Sequence, residues 1–216
     1  MNRVFENNQV TVMGTIVSDF TYSHEIFGEK FYTMDVAVER LSGTMDNIPV
    51  VISERLIDVE QDYKGYLISV NGQFRSYNRH EEIKTRLILS VFAREVEFVE
   101  ALDIGSQSNL IYLDGYICKE PIYRKTPLGR EIADLLVAVN RPYGKSDYIP
   151  CICWGRNARF ASDLKQGNRI SVQGRIQSRE YTKRIDEETT EKRMAYEVSV
   201  STIKFTEDSS DEEKND

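Results

Sequence analysis

The feature that most constrains this chain is that it is written twice. Laid over itself at an offset of 101 residues, Gly14 meets Gly115, Ile16 meets Ile117, Tyr22 meets Tyr123 and Gly28 meets Gly129. The same offset aligns Val36-Ala-Val-Glu-Arg40 with Val137-Ala-Val-Asn-Arg141, Gly43 with Gly144, and Ile48-Pro49 with Ile149-Pro150. One inserted residue later, Gly65 meets Gly167 and Ile68-Ser-Val-Asn-Gly72 meets Ile170-Ser-Val-Gln-Gly174. Self-similarity at a fixed period marks a repeated structural unit. The 216 residues therefore predict two copies of one domain, over 1–104 and 105–206, followed by a short tail over 207–216.

Within each copy the β-branched and aromatic runs, punctuated by glycine, read as strands. In the second copy they fall near 109–118, 131–141, 147–154, 168–181 and 193–205. A helical piece over 157–164 would place Phe160, Ala161 and Leu164 on one face and stop before Gly167. The equivalent helix of the first copy would run over 54–63. Five short strands with a helix after the third is the order of the OB-fold, a small Greek-key barrel. The expected fold class is all-β, two tandem OB-fold barrels, each with a short helix after the third strand.

Charge divides the copies. The chain carries net charge -7, which by itself argues against a nucleic-acid binder. That sum hides an acidic block (net -7 over 1–104), a basic block (net +5 over 105–206) and an acidic tail (net -5 over 207–216). By composition the tail is expected to be disordered. The odd number of cysteines, 3, together with an N-terminus lacking an apolar run, predicts reduced thiols in a cytoplasmic protein. No segment is long or apolar enough to span a membrane as a helix. No metal-ligand constellation, phosphate-cradling glycine loop or nucleophile motif stands out, so no enzyme, no metal and no cofactor is expected.

The stretch Ser146–Gly155 of the basic copy reads as a strand with two unlike faces. Ile149, Cys151 and Cys153 point one way, small and apolar as a core requires; Tyr148, Ile152 and Trp154 point the other. Taken alone, Tyr148 and Trp154 suit either an ordinary packed sheet or an open face on which nucleobases stack. On the following long strand, Arg169, Arg175, Arg179 and Tyr181 share one parity, against Ile170, Val172, Gly174 and Ile176. Basic residues interleaved with an aromatic are what an electrostatic groove with stacking platforms needs.

Five pieces of the second copy, in order and at matching spacing, resemble the bacterial single-stranded DNA-binding (SSB) family. They are Asn109-Leu-Ile-Tyr-Leu-Asp-Gly115, Thr126-Pro-Leu-Gly129, Leu136-Val-Ala-Val-Asn-Arg141, Asp147-Tyr-Ile-Pro-Cys-Ile-Cys-Trp-Gly155 and Gln166-Gly-Asn-Arg-Ile-Ser-Val-Gln-Gly-Arg-Ile176. The first copy is similar more faintly, through Val10-Thr-Val-Met-Gly14, Val36-Ala-Val38 and Ile68-Ser-Val-Asn-Gly72. The resemblance implies base-stacking roles for Tyr143, Tyr148, Trp154 and Tyr181. Phosphate contacts are expected from Arg124, Lys125, Arg141, Arg175 and Arg179.

Opposite Tyr143, Tyr148 and Trp154 the first copy carries Ser42, Asn47 and Ser53, and opposite Arg124 and Lys125 it carries Ser23 and His24. It keeps Arg40 and Tyr77. The first copy is thus expected to keep its core while losing its binding face. The resulting expectation is a protein that binds single-stranded DNA without sequence preference, in replication, recombination or repair. The alternatives are an interaction scaffold resembling primosomal accessory proteins, which docks a replication or recombination protein, and a single-stranded RNA binder. SSB-family domains commonly work in fours, so the duplication predicts a homodimer. Between 182 and 193 the second copy has an extra hairpin-like stretch whose mixed charges read as a solvated loop, with a role in wrapping the strand as the alternative. The family's acidic tail ends in an apolar tip, which the stretch ending Lys214-Asn-Asp216 lacks.

Overall fold

A computed structural model describes residues 6–80, 85–101, 108–184 and 189–206. The tail over 207–216, and the expectation of disorder attached to it, lies outside the described residues. Twelve strands run in one order twice: β1 Asn8–Ile16, β2 Thr21–Ile26, β3 Glu29–Glu39, β4 Met45–Ser53, β5 Leu67–His80 and β6 Thr85–Phe98, then β7 Asn109–Ile117, β8 Ile122–Lys125, β9 Glu131–Asn140, β10 Ser146–Trp154, β11 Arg169–Arg184 and β12 Thr190–Phe205. Strands β4 and β10 span residues that differ by 101 at both ends, so the repeat seen in the letters is a repeat in the backbone.

In the first copy the strand order is β2-β3-β4-β6-β5-β1, and β1 returns to pair with β3 through Thr15↔Ala37 and Ile16↔Val36. In the second the order is β8-β9-β10-β12-β11-β7, and β7 returns to β9 through Tyr116↔Ala138 and Ile117↔Val137. Five strands of each copy thereby close into the barrel expected from the sequence. Period-2 burial fills it: Val10, Val12 and Ile16 point inward from β1, and Ile111, Leu113 and Ile117 from β7.

Closure depends on glycine. A Cβ on Gly14 would overlap the Ala37 carbonyl oxygen and lie 3.0 Å from its carbon, and a Cβ on Gly115 would meet the Ala138 carbonyl in the same way, 3.1 Å from its carbon. Farther round each barrel, Gly72 lies against the Phe92 carbonyl and Gly174 against the Ser199 carbonyl. At all four positions only a residue without a side chain lets the backbones approach.

The helix expected after the third strand forms in the second copy alone, as α1, Arg156–Ser162. Its buried residues are Ala158 and Ala161, with Leu164 just beyond, whereas Phe160 is exposed. Two alanines let a short helix sit close to the barrel, which a phenylalanine on that face would prevent. The helix expected over 54–63 is absent: the segment is a chain of turns, with Asp58 accepting from the Glu60 amide and Asp62 from the Lys64 amide. Aspartates that cap their own backbone two residues on compete with helix formation. The hairpin-like stretch expected over 182–193 is made by the ends of two strands, since β11 runs on to Arg184 and β12 begins at Thr190. Each copy carries one strand more than expected, the short edge strands β2 and β8.

The compact units of the fold do not coincide with the copies. Among the described residues, one unit gathers 6–8, 112–174 and 198–206, and the other gathers 9–111 and 175–197.

Gly115→Ala and Gly174→Ala are each expected to destabilise the protein by about 1–3 kcal/mol, the range for forcing extra atoms into a filled interior. Urea unfolding followed by far-UV circular dichroism measures the shift in midpoint.

Candidate nucleic-acid interface

The unit built on residues 112–174 holds six of the nine expected site residues. Strand β10 positions two of them as its parity requires. Ile149, Cys151 and Cys153 are buried, while Tyr148 is 43% exposed and Trp154 40% exposed. Burial, with a lesser push from the Asp134 carboxylate, raises the Cys153 thiol to about 12. This cysteine is a core residue and carries no thiolate chemistry near neutral pH. Ile152, on the aromatic parity, is buried, so the ridge between the two rings is closed by packing.

Register extends this face across three strands. Trp154 pairs with Ile132 on β9, which pairs with Arg124 on β8. Paired residues project from the same side of a sheet, so Trp154 and Arg124 rise from backbone positions about 10 Å apart with Ile132 between them. Arg124 is held there by Asp134 at 2.9 Å, an exposed pair that leaves its outer edge in water. Lys125 closes the same edge opposite Glu131 and is exposed.

A second row lies about 20 Å along β10. Tyr148 pairs with Ala138, and Ala138 pairs with Tyr116 on β7. Tyr116 is half-buried on the outward parity of β7, so two tyrosines flank a small alanine on one face. Tyr116 is absent from the residues expected from the sequence. Its signal was available in the alternation of β7, where Ile111, Leu113, Gly115 and Ile117 face in and Tyr112, Asp114 and Tyr116 face out.

Tyr143 sits at the tip of the turn Pro142–Gly144 with φ 62° and ψ 34°, and its ring is 99% exposed. Left-handed backbone disfavours a residue with a side chain, at a cost of about 1–2 kcal/mol. Arg141 precedes it and is tied to the fold: its Nη1 lies 3.4 Å from an Asp147 oxygen that is fully buried. The first copy repeats this clasp at Arg40 and Asp46, where the guanidinium donates through Nε at 2.7 Å and Nη2 at 2.6 Å. A pair retained in both copies, one of which has lost its aromatics, is a hairpin clasp, and Arg141 is only partly available to a ligand.

The remaining expected residues, Arg175, Arg179 and Tyr181, lie on the part of β11 that belongs to the other unit. There Arg179 is exposed, with its guanidinium 5.9 Å from the Tyr181 ring centre. Arg175 is turned toward Asp46, with Nη1 3.6 Å from Oδ2, and donates through Nη2 to Gln177 at 3.2 Å. Asp46 also accepts from the Ser178 amide at 2.7 Å and hydroxyl at 2.9 Å. Burial pushes the Asp46 carboxyl up, but the hydrogen bonds from Arg40 and Ser178 outweigh it and hold the group below the usual carboxylate range. Burial, with the neighbouring Arg40 charge, lowers Arg175. Arg175 is thus engaged in the fold, a role that strand parity could not reveal.

In the first copy the two equivalent positions of β4 carry no ring. Asn47 replaces Tyr148, and Ser53 is buried and donates its hydroxyl to Glu29. His24 stacks on Phe31, ring centres 4.9 Å apart.

Residues 108–206 match the model of the single-strand binding protein family. Over 80 residues the chain is 36% identical to the single-stranded DNA-binding protein of Oceanobacillus iheyensis, covering 34% of this chain and 50% of that protein. It is 38% identical over 80 residues to single-stranded DNA-binding protein A of Bacillus subtilis, covering 34% and 46%. The chain spans about half the length of the curated relatives it matches. The crystal structure of the wild-type single-stranded DNA binding protein from Thermus aquaticus is similar in fold over 93% of each chain, with a TM-score of 0.74 at 21% identity.

Asp46 provides a test of the electrostatics that is separate from any ligand. Asp46→Asn is expected to cost about 2 kcal/mol at pH 7, below the range for fully buried pairs because Arg40 stays partly in water. The Asp46 carboxyl lies lower when folded than when unfolded, so its contribution is present above about pH 3.9 and lost as pH falls further. Urea unfolding of both proteins at pH 7 and pH 3 should show the gap closing in acid.

Proposed function

We propose that this chain, in which residues 108–206 form a domain of the single-strand binding protein family, binds single-stranded DNA without sequence preference. The observation that carries this reading is the pair of half-exposed rings, Tyr148 and Trp154, on the outward face of β10, with Tyr116 and Arg124 in register beside them. A base presents a π-face whatever its identity, so rings on a rigid sheet bind by stacking and do not select sequence. Arg124 and Lys125 supply the charge that displaces counterions from phosphates. Tyr143, on its exposed turn, adds a ring that needs no rearrangement of the barrel. Arg179 and Tyr181 offer a further cation and ring, while Arg141 and Arg175 position the strands that carry the others. The protein acts as a binder without catalysis, in the cytoplasm, in DNA replication, recombination or repair.

Titration of Trp154 fluorescence with oligo-dT, oligo-rU and duplex DNA tests this. Quenching by oligo-dT that weakens as salt rises is expected, with duplex DNA much weaker; a preference for oligo-rU would make the ligand RNA. Trp154→Ala, Tyr148→Ala and Tyr116→Ala, followed by fluorescence anisotropy of labelled oligo-dT, should each weaken binding by about 1–3 kcal/mol. Unchanged affinity in a folded Trp154→Ala protein would reject this face.

Two barrels per chain mean that a homodimer would assemble four, and a single two-fold contact suffices for this. Light scattering at micromolar concentration is expected to return about twice the 25.0 kDa chain mass. A monomer that binds oligo-dT tightly would reject the dimer.

A further inference from the structure

The first copy has lost rings from one face and gained them on another. Phe20, Tyr63, Tyr66 and Phe98 form one cluster: Tyr63 lies 6.2 Å from Phe20, 5.7 Å from Tyr66 and 4.9 Å from Phe98, and Tyr66 and Phe98 are 5.9 Å apart, all between ring centres. Much of it faces water, since Tyr66 is 56% and Phe98 47% exposed. The loop that carries the tyrosines is fixed to β1, with the Ile16 amide donating to the Tyr66 carbonyl at 3.0 Å and the Gly65 amide to the Ile16 carbonyl at 2.9 Å. The second copy makes the same two backbone bonds, at Ile117 with Asn168 and at Gly167 with Ile117, yet carries Pro121, Lys165 and Asn168 where the first has Phe20, Tyr63 and Tyr66. The barrel therefore does not require Phe20, Tyr63 and Tyr66, whereas Phe98 has a counterpart in Phe205. The cluster adds exposed apolar surface of the kind that marks an interaction site.

The rim states the partner's charge. Asp19, Asp58, Glu60 and Asp62 are exposed on the segments that bear Phe20, Tyr63 and Tyr66. The cation on these segments, Lys64, is bound to Asp19 at 2.7 Å. Such a rim repels phosphates. It also opposes a two-fold contact between copies of this chain, which would set the carboxylates of one patch against those of its twin. We infer that this patch docks a basic segment of another protein, in which arginine or lysine meets the carboxylates and ring faces while an apolar side chain fills the cluster. This inference does not depend on the reading of single-stranded DNA binding.

The test uses the full chain and two synthetic peptides, one alternating arginine and leucine and one alternating arginine and glycine. In nitrogen-15 NMR titrations, the arginine-leucine peptide should shift the amides of 62–66 and 96–99 saturably, and the arginine-glycine peptide should bind at least about tenfold more weakly. Tyr66→Ser/Phe98→Ser and, separately, Glu60→Gln/Asp62→Asn should each raise the dissociation constant by about tenfold or more, leaving oligo-dT binding unchanged. Should the aromatic double variant fail to fold, the charge variant carries the test alone. Equal affinity for both peptides, or no loss in the folded variants, would overturn the inference. So would self-association of the wild-type chain that Tyr66→Ser/Phe98→Ser abolishes, because the occupant would then be a second copy.

Discussion

Each barrel depends on the place where its first strand crosses back over the third. Closing a five-stranded sheet forces two backbones together at a tilt, and a side chain at the crossing would occupy the space of a peptide carbonyl. Gly14 against Ala37 and Gly115 against Ala138 answer that demand identically, and Gly72 and Gly174 answer it again where the fifth strand turns against the sixth. The inward branched residues follow from this closure, since a barrel this narrow is filled by side chains from alternate positions. The exposed rings in turn rely on it, because Tyr148 and Trp154 face outward only where their neighbours on β10 face in.

The two copies separate what the barrel shares from what varies on its outward face. Both retain the glycine crossings, the inward alternation and the arginine-aspartate clasp at the hairpin between the third and fourth strands, Arg40 with Asp46 and Arg141 with Asp147. What differs is the outward parity. Asn47 and Ser53 stand where Tyr148 and Trp154 stand, and the turn that holds Tyr143 holds Ser42 in the first copy. Outward positions of a small barrel change at little cost to its interior, so one scaffold carries exposed rings on its fourth strand in one copy and polar side chains in the other.

The barrel was legible in the sequence because its determinants are local. Period-2 alternation and glycine spacing appear in the letters, and duplication presents each signal twice. The helix over 54–63 was misread because apolar spacing competes there with aspartates that bond their own backbone, and side-chain bonds at Asp58 and Asp62 prevailed. The contact of Arg175 with Asp46 was hidden for a different reason. The residue's parity is right, but the carboxylate that engages it comes from residue 46, and no period in β11 points there. Tyr116 required joining three strands into one row, a step that needs register as well as alternation.

Compact units usually meet in exposed linkers. Here the chain passes between its two units near residues 8, 111, 174 and 197, and each passage falls within or at the start of a strand: β1, β7, β11 and β12. The boundary of the repeat therefore lies apart from the boundaries of the units, and a fragment ending at residue 104 would lack residues 108–111 and 175–197 of the unit it otherwise carries.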